Sequence, residues 1–451
     1  MLALVCSLSG GSLAAQNQLS WNTNQSRVSA DIKSQDLEKL LGQIATATGW
    51  EVYLEPGTTR QTSAKFKDLP PGEALGLLLG SLNFALVPRT NANSRLYVFR
   101  TTQEKATRLI RPATHATGTR NSKRIPNELI VRLKPDAKIE DLARRLGAKI
   151  TGRIDALHTY RLEFPDETAA QTALGSLQDN PDVTGVDSNY SVDRPPSPQM
   201  LADNFQPDWN LKPQDNNGSC QVTVGLIDTA VGPLGDGLDP LLLPAISVAG
   251  DDQSAPAQLT HGTAMAEAIL QGVQTNIVGN KTAVRILPVD VYGPNPSTTT
   301  FDVGQGIYQA VNAGANLINL SLGGDGDSAF LHGLITSASK QGVVFLGAAG
   351  NEPVTTPTYP AAYPEVIAVT ASDPAGQLAS YANRGSFVSL MTPGTSLADY
   401  QGQAYVVTGT SSATAFASGF AAGMADSAHE CPDQVVSALR SKWGVKFNTG
   451  P

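Results

Sequence analysis

From residue 205 onward the sequence alternates short, almost uninterrupted apolar runs with runs of helical period. Strand-like runs fall at 222–227, 283–289, 317–321, 343–347 and 366–369. Helix-like runs fall at 263–270, 303–312, 329–340 and 413–425. A strand with no polar alternation is buried on both faces, and helices between such strands supply the covering layers. The pattern therefore predicts an α/β domain over 205–451, built on a mostly parallel sheet with helices on both faces. Ligands in such sheets sit outside the carboxyl ends of the strands. The residues that follow the apolar runs are thus the first candidates for chemistry.

At 451 residues the chain exceeds one ordinary domain, and the upstream part reads differently. Residues 16–26 are polar. Strand-like 27–32 then precedes a helical run at 36–48, with Leu37, Leu40, Leu41 and Ile44 on one face, and strand-like 50–54. The unit recurs as strand 62–66, a helix opened by Pro70-Pro71, and strands 84–87 and 96–99. Proline suits a helix start because its missing N–H would be unpaired there anyway. This βαββαββ-type order over 16–102, with Asp36-Leu37-Glu38 and Pro71-Gly72-Glu73-Ala74-Leu75 opening its helices, resembles the short N-terminal domain of secretins and TonB-dependent receptors. The resemblance implies an interaction module without chemistry, facing an envelope protein in a Gram-negative periplasm.

Residues 103–124 form a basic linker with Lys105, Arg108, Arg111, Arg120, Lys123 and Arg124. Over 125–193, strands at 126–133, 159–164 and 183–190 alternate with helices at 139–146 and 167–177, which predicts a ferredoxin-like α+β layer. Proline-rich 194–204 (Arg194-Pro195-Pro196-Ser197-Pro198) reads as a linker and processing region.

A formal net charge of −8 gives no reason to expect nucleic acid, and no run approaches the 18 or so apolar residues of a membrane span. Residues 1–15 carry the apolar run Leu2-Ala3-Leu4-Val5-Cys6-Ser7-Leu8 and then small residues at Ser12-Leu13-Ala14, as a signal peptide does, though without the basic start. If Cys6 leaves with that leader, Cys220 and Cys431 remain, as a disulfide or as two buried thiols. No His/Cys/Asp cluster has metal-ligand spacing, so neither a metal nor another cofactor is expected.

Past the apolar runs stand Asp228, after Gly225-Leu226-Ile227; His261, in Thr260-His261-Gly262-Thr263; and Asn351, after Ala348-Ala349-Gly350. Ser411 opens a run of small residues in Gly409-Thr410-Ser411-Ser412-Ala413. Taken singly, Asp228 and Asn351 read as turn formers and Ser411 as a helix N-cap. Together they are the parts of acyl transfer: a hydroxyl, an imidazole to take its proton, a carboxylate to hold the imidazole, and donors for the oxyanion. Asp, His and Ser occur here in the chain order of subtilisin. These blocks, with Asn319-Leu320-Ser321-Leu322-Gly323-Gly324, resemble the subtilisin family over about 205–446. The 125–193 segment, with Leu146-Gly147-Ala148-Lys149 and Asn180-Pro181-Asp182-Val183, is similar to that family's propeptide.

The resemblance implies a serine endopeptidase acting on proteins or peptides and made as an autoprocessed zymogen inhibited by its own prodomain, periplasmic or secreted. Asp228 would orient, His261 act as base and acid, Ser411 attack, and Asn351 bind the oxyanion. The backbone of Ser321, Leu322 and Gly323 would pair with substrate, and Thr358 would line the primary pocket. Ser412-Ala413-Thr414-Ala415 and Ala264-Met265-Ala266-Glu267 depart from the family pattern, and 275–279 lacks a clear calcium loop. An α/β-hydrolase needs its acid and histidine after the serine, where Asp426, Asp433 and His429 stand bunched at the end of one helix. The remaining alternative is a decayed peptidase serving as an envelope scaffold.

Overall fold

The computed structural model describes residues 18–22, 27–87, 94–110, 123–201 and 210–447, apart from 217, 219, 236, 251–258 and 278. The leader-like segment 1–15, most of the basic stretch and residues 202–204 lie outside these. The chain divides into two compact units, residues 1–118 with 449–451, and residues 119–448.

In the first unit, strands Asn83–Val87, Arg95–Phe99, Glu51–Leu54 and Arg108–Ile110 form one sheet in that order, and Gln18–Asn22, Arg27–Asp36 and Gln61–Leu69 form another. Helices Leu37–Thr48 and Pro71–Leu79 bury Leu37, Leu40, Leu41 and Ile44 with Leu75, Leu78 and Leu79. Asp36 caps the first helix by accepting from the Glu38 and Lys39 N–H groups. Two expectations change here. The polar 16–26 segment contributes strand Gln18–Asn22, antiparallel to Arg27–Asp36. The basic linker begins later than residue 103, because Arg108–Ile110 pairs with Glu51–Leu54 and buries Ile110. Three residues among charges are too few for alternation to reveal a strand.

The second unit opens with a ferredoxin-like layer. Strands Val183–Asp193, Arg124–Leu133, Thr159–Glu163 and Lys149–Ile154 lie side by side in that order, all antiparallel, with helices Ile139–Leu146 and Glu167–Gln178. Lys149–Ile154 has no strand-like reading in sequence, since Gly152 interrupts its alternation. That glycine is needed for closeness: a Cβ there would lie 2.4 Å from the Phe301 ring. The layer docks on two helices of the following domain. Asn189 Oδ1 accepts from the Thr300 hydroxyl (3.0 Å) and the Phe301 N–H (3.1 Å). Asp187 Oδ2 accepts from the Ser328 hydroxyl (2.7 Å) and the Phe330 N–H (2.9 Å). Arg161 pairs with Asp302 at 2.9 Å. Side chains of this layer thus satisfy orphan N–H groups at the starts of Thr300–Asn312 and Ala329–Ser339.

The peptidase-like part is a seven-stranded sheet ordered Ile246–Ser247, Arg285–Asp290, Thr223–Asp228, Leu317–Leu320, Val344–Ala348, Val366–Ser372, Val388–Pro393. Every pairing in it is parallel. The Thr223–Asp228 strand has Arg285–Asp290 on one side and Leu317–Leu320 on the other, so the strand order reverses there and opens a crevice at its carboxyl end. Val388–Pro393 and Thr395–Tyr400 extend the expected set of strands, the latter in a hairpin with Gln403–Thr408, which contains the apolar run Ala404-Tyr405-Val406-Val407. Gln199–Met200, expected as linker, pairs antiparallel with Gln403–Thr408. Among the described residues no helix is long and apolar enough to cross a membrane.

Cys220, just before the first sheet strand, is bonded to Cys431, just after helix Thr410–Ala428, across a separation of 211 residues. In the chain-entropy account a closure of that length stabilises by roughly 5 kcal/mol. Replacing both cysteines by serine is expected to lower the urea midpoint of the full chain accordingly. A midpoint equal to that of the wild type would remove the bridge from the stability of the fold.

Candidate active site

Thr223–Asp228 is buried throughout, so its terminal carboxylate emerges at the crevice already desolvated; Asp228 is 0% exposed. Asp228 Oδ1 accepts from the Thr229 N–H at 2.7 Å. The imidazole of His261 places Nδ1 at 2.8 Å from Asp228 Oδ1 and 3.0 Å from Oδ2. Since a carboxylate only accepts, Nδ1 carries the hydrogen and Nε2 is left as the basic nitrogen. His261 is the first residue of helix His261–Gln274, capped by Thr260, whose hydroxyl accepts from the Thr263 N–H at 3.0 Å and donates to Ala230 O at 2.7 Å. Thr229 Oγ1 accepts from the Gly262 N–H at 2.8 Å. The histidine turn is therefore fastened to the aspartate turn by side-chain-to-backbone hydrogen bonds.

Ser411 lies in the first turn of the 19-residue helix Thr410–Ala428, one residue inside it. It is not the N-cap; Gly409 holds that position and offers no side chain. The capping comes from another strand end: Asn351 Oδ1 accepts from the Thr410 N–H (2.8 Å) and the Thr410 hydroxyl (3.0 Å). Because the Thr410 N–H is a donor, the amide oxygen must face it, which leaves Asn351 Nδ2 as the free donor. Gly409 is extended, so its role is space: a Cβ there would stand 3.2 Å from Asn351 Nδ2. The Ser411 hydroxyl donates to Ser321 O at 3.1 Å, while the Ser321 hydroxyl donates to Ser411 O at 2.9 Å. Attack requires that the Ser411 proton be redirected to the imidazole.

The structure brings Asp228 to His261 and Asn351 to the start of the Ser411 helix. Ser321 acts on the Ser411 loop itself, an arrangement beyond the expected pairing with substrate. Gly324 exchanges backbone hydrogen bonds with Tyr359 (2.9 and 2.8 Å), and Thr358 Cγ2 would lie 3.1 Å from a Cβ on Gly323, so Thr358 borders that segment. Leu322 is 5% exposed and sits in the core. The unusual flank has partners: the Ser412 hydroxyl donates to Ser396 Oγ at 2.7 Å, and Thr392 Oγ1 donates to Ala413 O at 2.7 Å. Buried Asn383 went unnoticed in sequence. Its Nδ2 donates to Ala349 O (2.8 Å) and its Oδ1 accepts from the Glu352 N–H (2.8 Å), which clamps the loop that carries Asn351. An isolated asparagine in a turn gives no signal of such a role.

Residues 220–439 match the Subtilase family (Peptidase_S8), and residues 110–189 match the fervidolysin N-terminal prodomain. The chain thus carries a subtilase domain behind a prodomain, the make-up of a subtilisin-type serine endopeptidase produced as a zymogen. A thermophilic serine proteinase of Bacillus sp. (strain AK1) is 29% identical over 317 residues, covering 67% of this chain and 78% of its own length. The minor extracellular protease Epr of Bacillus subtilis is 30% identical over 274 residues, 55% of this chain but 41% of Epr. Fervidolysin from Fervidobacterium pennivorans, a keratinolytic enzyme related to subtilisin, shares the fold with a TM-score of 0.55 at 18% identity, over 71% of this chain and 57% of its own. The two family matches begin at residue 110.

Glu267, on the helix that starts with His261, is 1% exposed. Its Oε2 accepts from the Asp399 N–H at 2.9 Å, while Glu267 Oε1 and Asp399 Oδ2 are buried without partners. Burial, reinforced by the Asp399 charge, pushes the Glu267 carboxyl up from 4.5 to about 8. The folded state therefore holds more protons than the unfolded state between those values. Stability from this group is greatest below pH 4.5, falls as pH rises through 8 and levels off above. Glu267→Gln keeps the acceptor for the Asp399 N–H and cannot ionise. Its Tm is expected to gain on that of wild type by roughly several °C between pH 5 and pH 9. A Tm difference that stays constant over that range would show that Glu267 does not titrate there.

Proposed function

We propose that Ser411, His261 and Asp228 are the nucleophile, the base and the orienting carboxylate of this endopeptidase, with Asn351 as an oxyanion donor. The observation that supports this most directly is the buried Asp228–His261 pair at a strand end, beside a helix start whose first N–H is held by Asn351. As His261 Nε2 takes its proton, Ser411 Oγ bonds to the substrate carbonyl carbon. The carbonyl oxygen becomes an oxyanion that faces the Ser411 N–H and Asn351 Nδ2. His261 then gives the proton to the leaving amine as the C–N bond breaks. Water repeats the sequence on the acyl-enzyme. An intact set of these residues speaks against a decayed scaffold.

The zymogen reading extends to where the chain is cut. Arg194–Pro195, Pro195–Pro196 and Ser197–Pro198 each place a proline ring on the leaving nitrogen, which fits a protease cleft poorly. The new chain end is therefore assigned to the part of 190–205 outside those bonds. Secretion is proposed from the leader-like residues 1–15 and from a relative named as extracellular. The resemblance of 16–102 to envelope domains adds a periplasmic setting and an envelope protein as partner. Protein substrates would bind as an extended strand along the Ser321–Gly323 backbone and beside Thr358.

Wild type and Ser411→Ala, expressed side by side, test this reading. The wild type is expected to shorten itself and to react with a fluorophosphonate probe, and Ser411→Ala to do neither. A wild type inert in both assays would end the proposal. Asn351→Ala is expected to slow acylation by about 10²–10³-fold, and an unchanged rate would remove Asn351 from the oxyanion site.

A further inference from the structure

The segment that joins prodomain to peptidase pairs with two separate strands of the peptidase. Ser191, Val192 and Asp193 pair antiparallel with Thr299, Thr298 and Ser297, and the Arg194 N–H donates to Pro296 O at 2.9 Å. On the opposite flank, a Cβ on Gly326 would strike the Tyr190 side chain and one on Gly324 would lie 3.8 Å from Ser191 O. Five residues beyond Arg194, Gln199 and Met200 pair with Val406 and Tyr405 of the strand that leads into Ser411. The chain is therefore extended on both flanks of this segment, at 191–194 and again at 199–200 beside the strand that leads into Ser411.

Two side chains of this strand fill sites of their own. Val192 is 5% exposed and packs in the same core as Leu322, Tyr292 and Val303. Two residues on, the Arg194 guanidinium lies over the Tyr292 ring, 5.4 Å from its centroid. Arg194 Nε donates to Asn295 O at 2.8 Å and Nη2 donates to Gly293 O. The loop is shaped for this. Asp290 Oδ1 accepts from the Tyr292 N–H (2.9 Å) and the Gly293 N–H (3.0 Å), which ties those amides inward. Gly293 adopts φ +52, and a Cβ there would lie 2.8 Å from Ala249 O, so the turn admits only glycine. Asp290 is 6% exposed; burial pushes its carboxyl up, and the two loop N–H groups and the Arg194 charge oppose that shift. An aromatic face, two fixed carbonyls and a nearby carboxylate match a planar cation with several donors better than a lysine ammonium.

The geometry points to an arginine-selective subsite at Asp290–Pro296 for protein substrates, which replace Ser191–Arg194 on the Ser297–Thr299 edge once the prodomain departs. The recognised sequence is an apolar residue, any residue, then arginine, all on the amino side of the cut bond. This inference rests on the peptidase reading above. The prodomain tail occupies the subsite with its own arginine and holds the cleft shut until released.

Full-length wild type, Asp290→Asn, Tyr292→Leu and Arg194→Gln are incubated to activation with a denatured protein mixture. Cut sites are mapped by mass spectrometry, and Ser411 is followed with a fluorophosphonate probe. Arginine is expected at one fixed position on the amino side, enriched at least about tenfold by wild type and several-fold less by Asp290→Asn and Tyr292→Leu. Labelling of Arg194→Gln is expected to begin several-fold earlier than that of wild type. Labelling and cutting without arginine enrichment overturn the subsite and leave the peptidase reading intact. Equal enrichment in wild type and both loop variants, or an unchanged onset in Arg194→Gln, overturns its assignment to this loop. A wild type that neither labels nor cuts fails at the peptidase reading itself, and the subsite falls with it.

Discussion

The helix that begins at His261 and the helix that holds Ser411 touch backbone to backbone, and the site depends on that closeness. A Cβ on Gly419 would lie 1.8 Å from Ile269 O, and one on Gly272 would lie 2.2 Å from Phe416 O. Gly423 meets Val273 O in the same way at 2.7 Å. Side chains at these positions would push the helices apart by ångströms. Both helices are almost wholly buried, so the displacement would carry His261 away from Ser411 while opening the core. Small residues along both helices read in sequence as helical filler. In the fold they fix the distance at which the chemistry works.

Around that contact, each functional group is held by something other than itself. The Asp228 carboxylate is fixed by the Thr229 N–H, the His261 ring by Asp228, and the Asn351 carboxamide by Thr410. Asn383 in turn clamps the loop behind Asn351. These contacts leave few rotamers open, which is how a site can be organised before substrate arrives. The prodomain uses the same device in reverse: Asp187 and Asn189 cap helices that belong to the peptidase, so the inhibitor is bonded to the elements it covers.

The departures from the subtilisin-like pattern also acquire physical content. Ser412 has a buried partner in Ser396, and Thr392 bonds the carbonyl of Ala413, so the altered flank behind the nucleophile is a satisfied polar seam. Glu267, where the family pattern has a small residue, reaches the hairpin that leads to Ser411 and accepts from the Asp399 N–H. The hairpin is thereby tied to the histidine helix by a carboxyl that burial keeps protonated at neutral pH. One link between the two halves of the site is thus sensitive to pH.

The parallel sheet was legible in the sequence because its buried strands are apolar without alternation. Asp228, His261, Asn351 and Ser411 were legible because they stand at the ends of those strands and helices in one recognisable order. Less was visible where the signal is short or shared between distant parts. Arg108–Ile110, Lys149–Ile154 and Gln199–Met200 are strands only because a neighbour pairs with them. Taken alone, Ser411 reads as a helix cap; the tertiary structure places it inside the first turn and supplies the cap from Asn351. Residue order decided which groups the chain possesses. Only the fold decided which of them meet, because hydrogen bonds such as Asn383 to Ala349 and Arg194 to Gly293 join segments whose sequences carry no mark of one another.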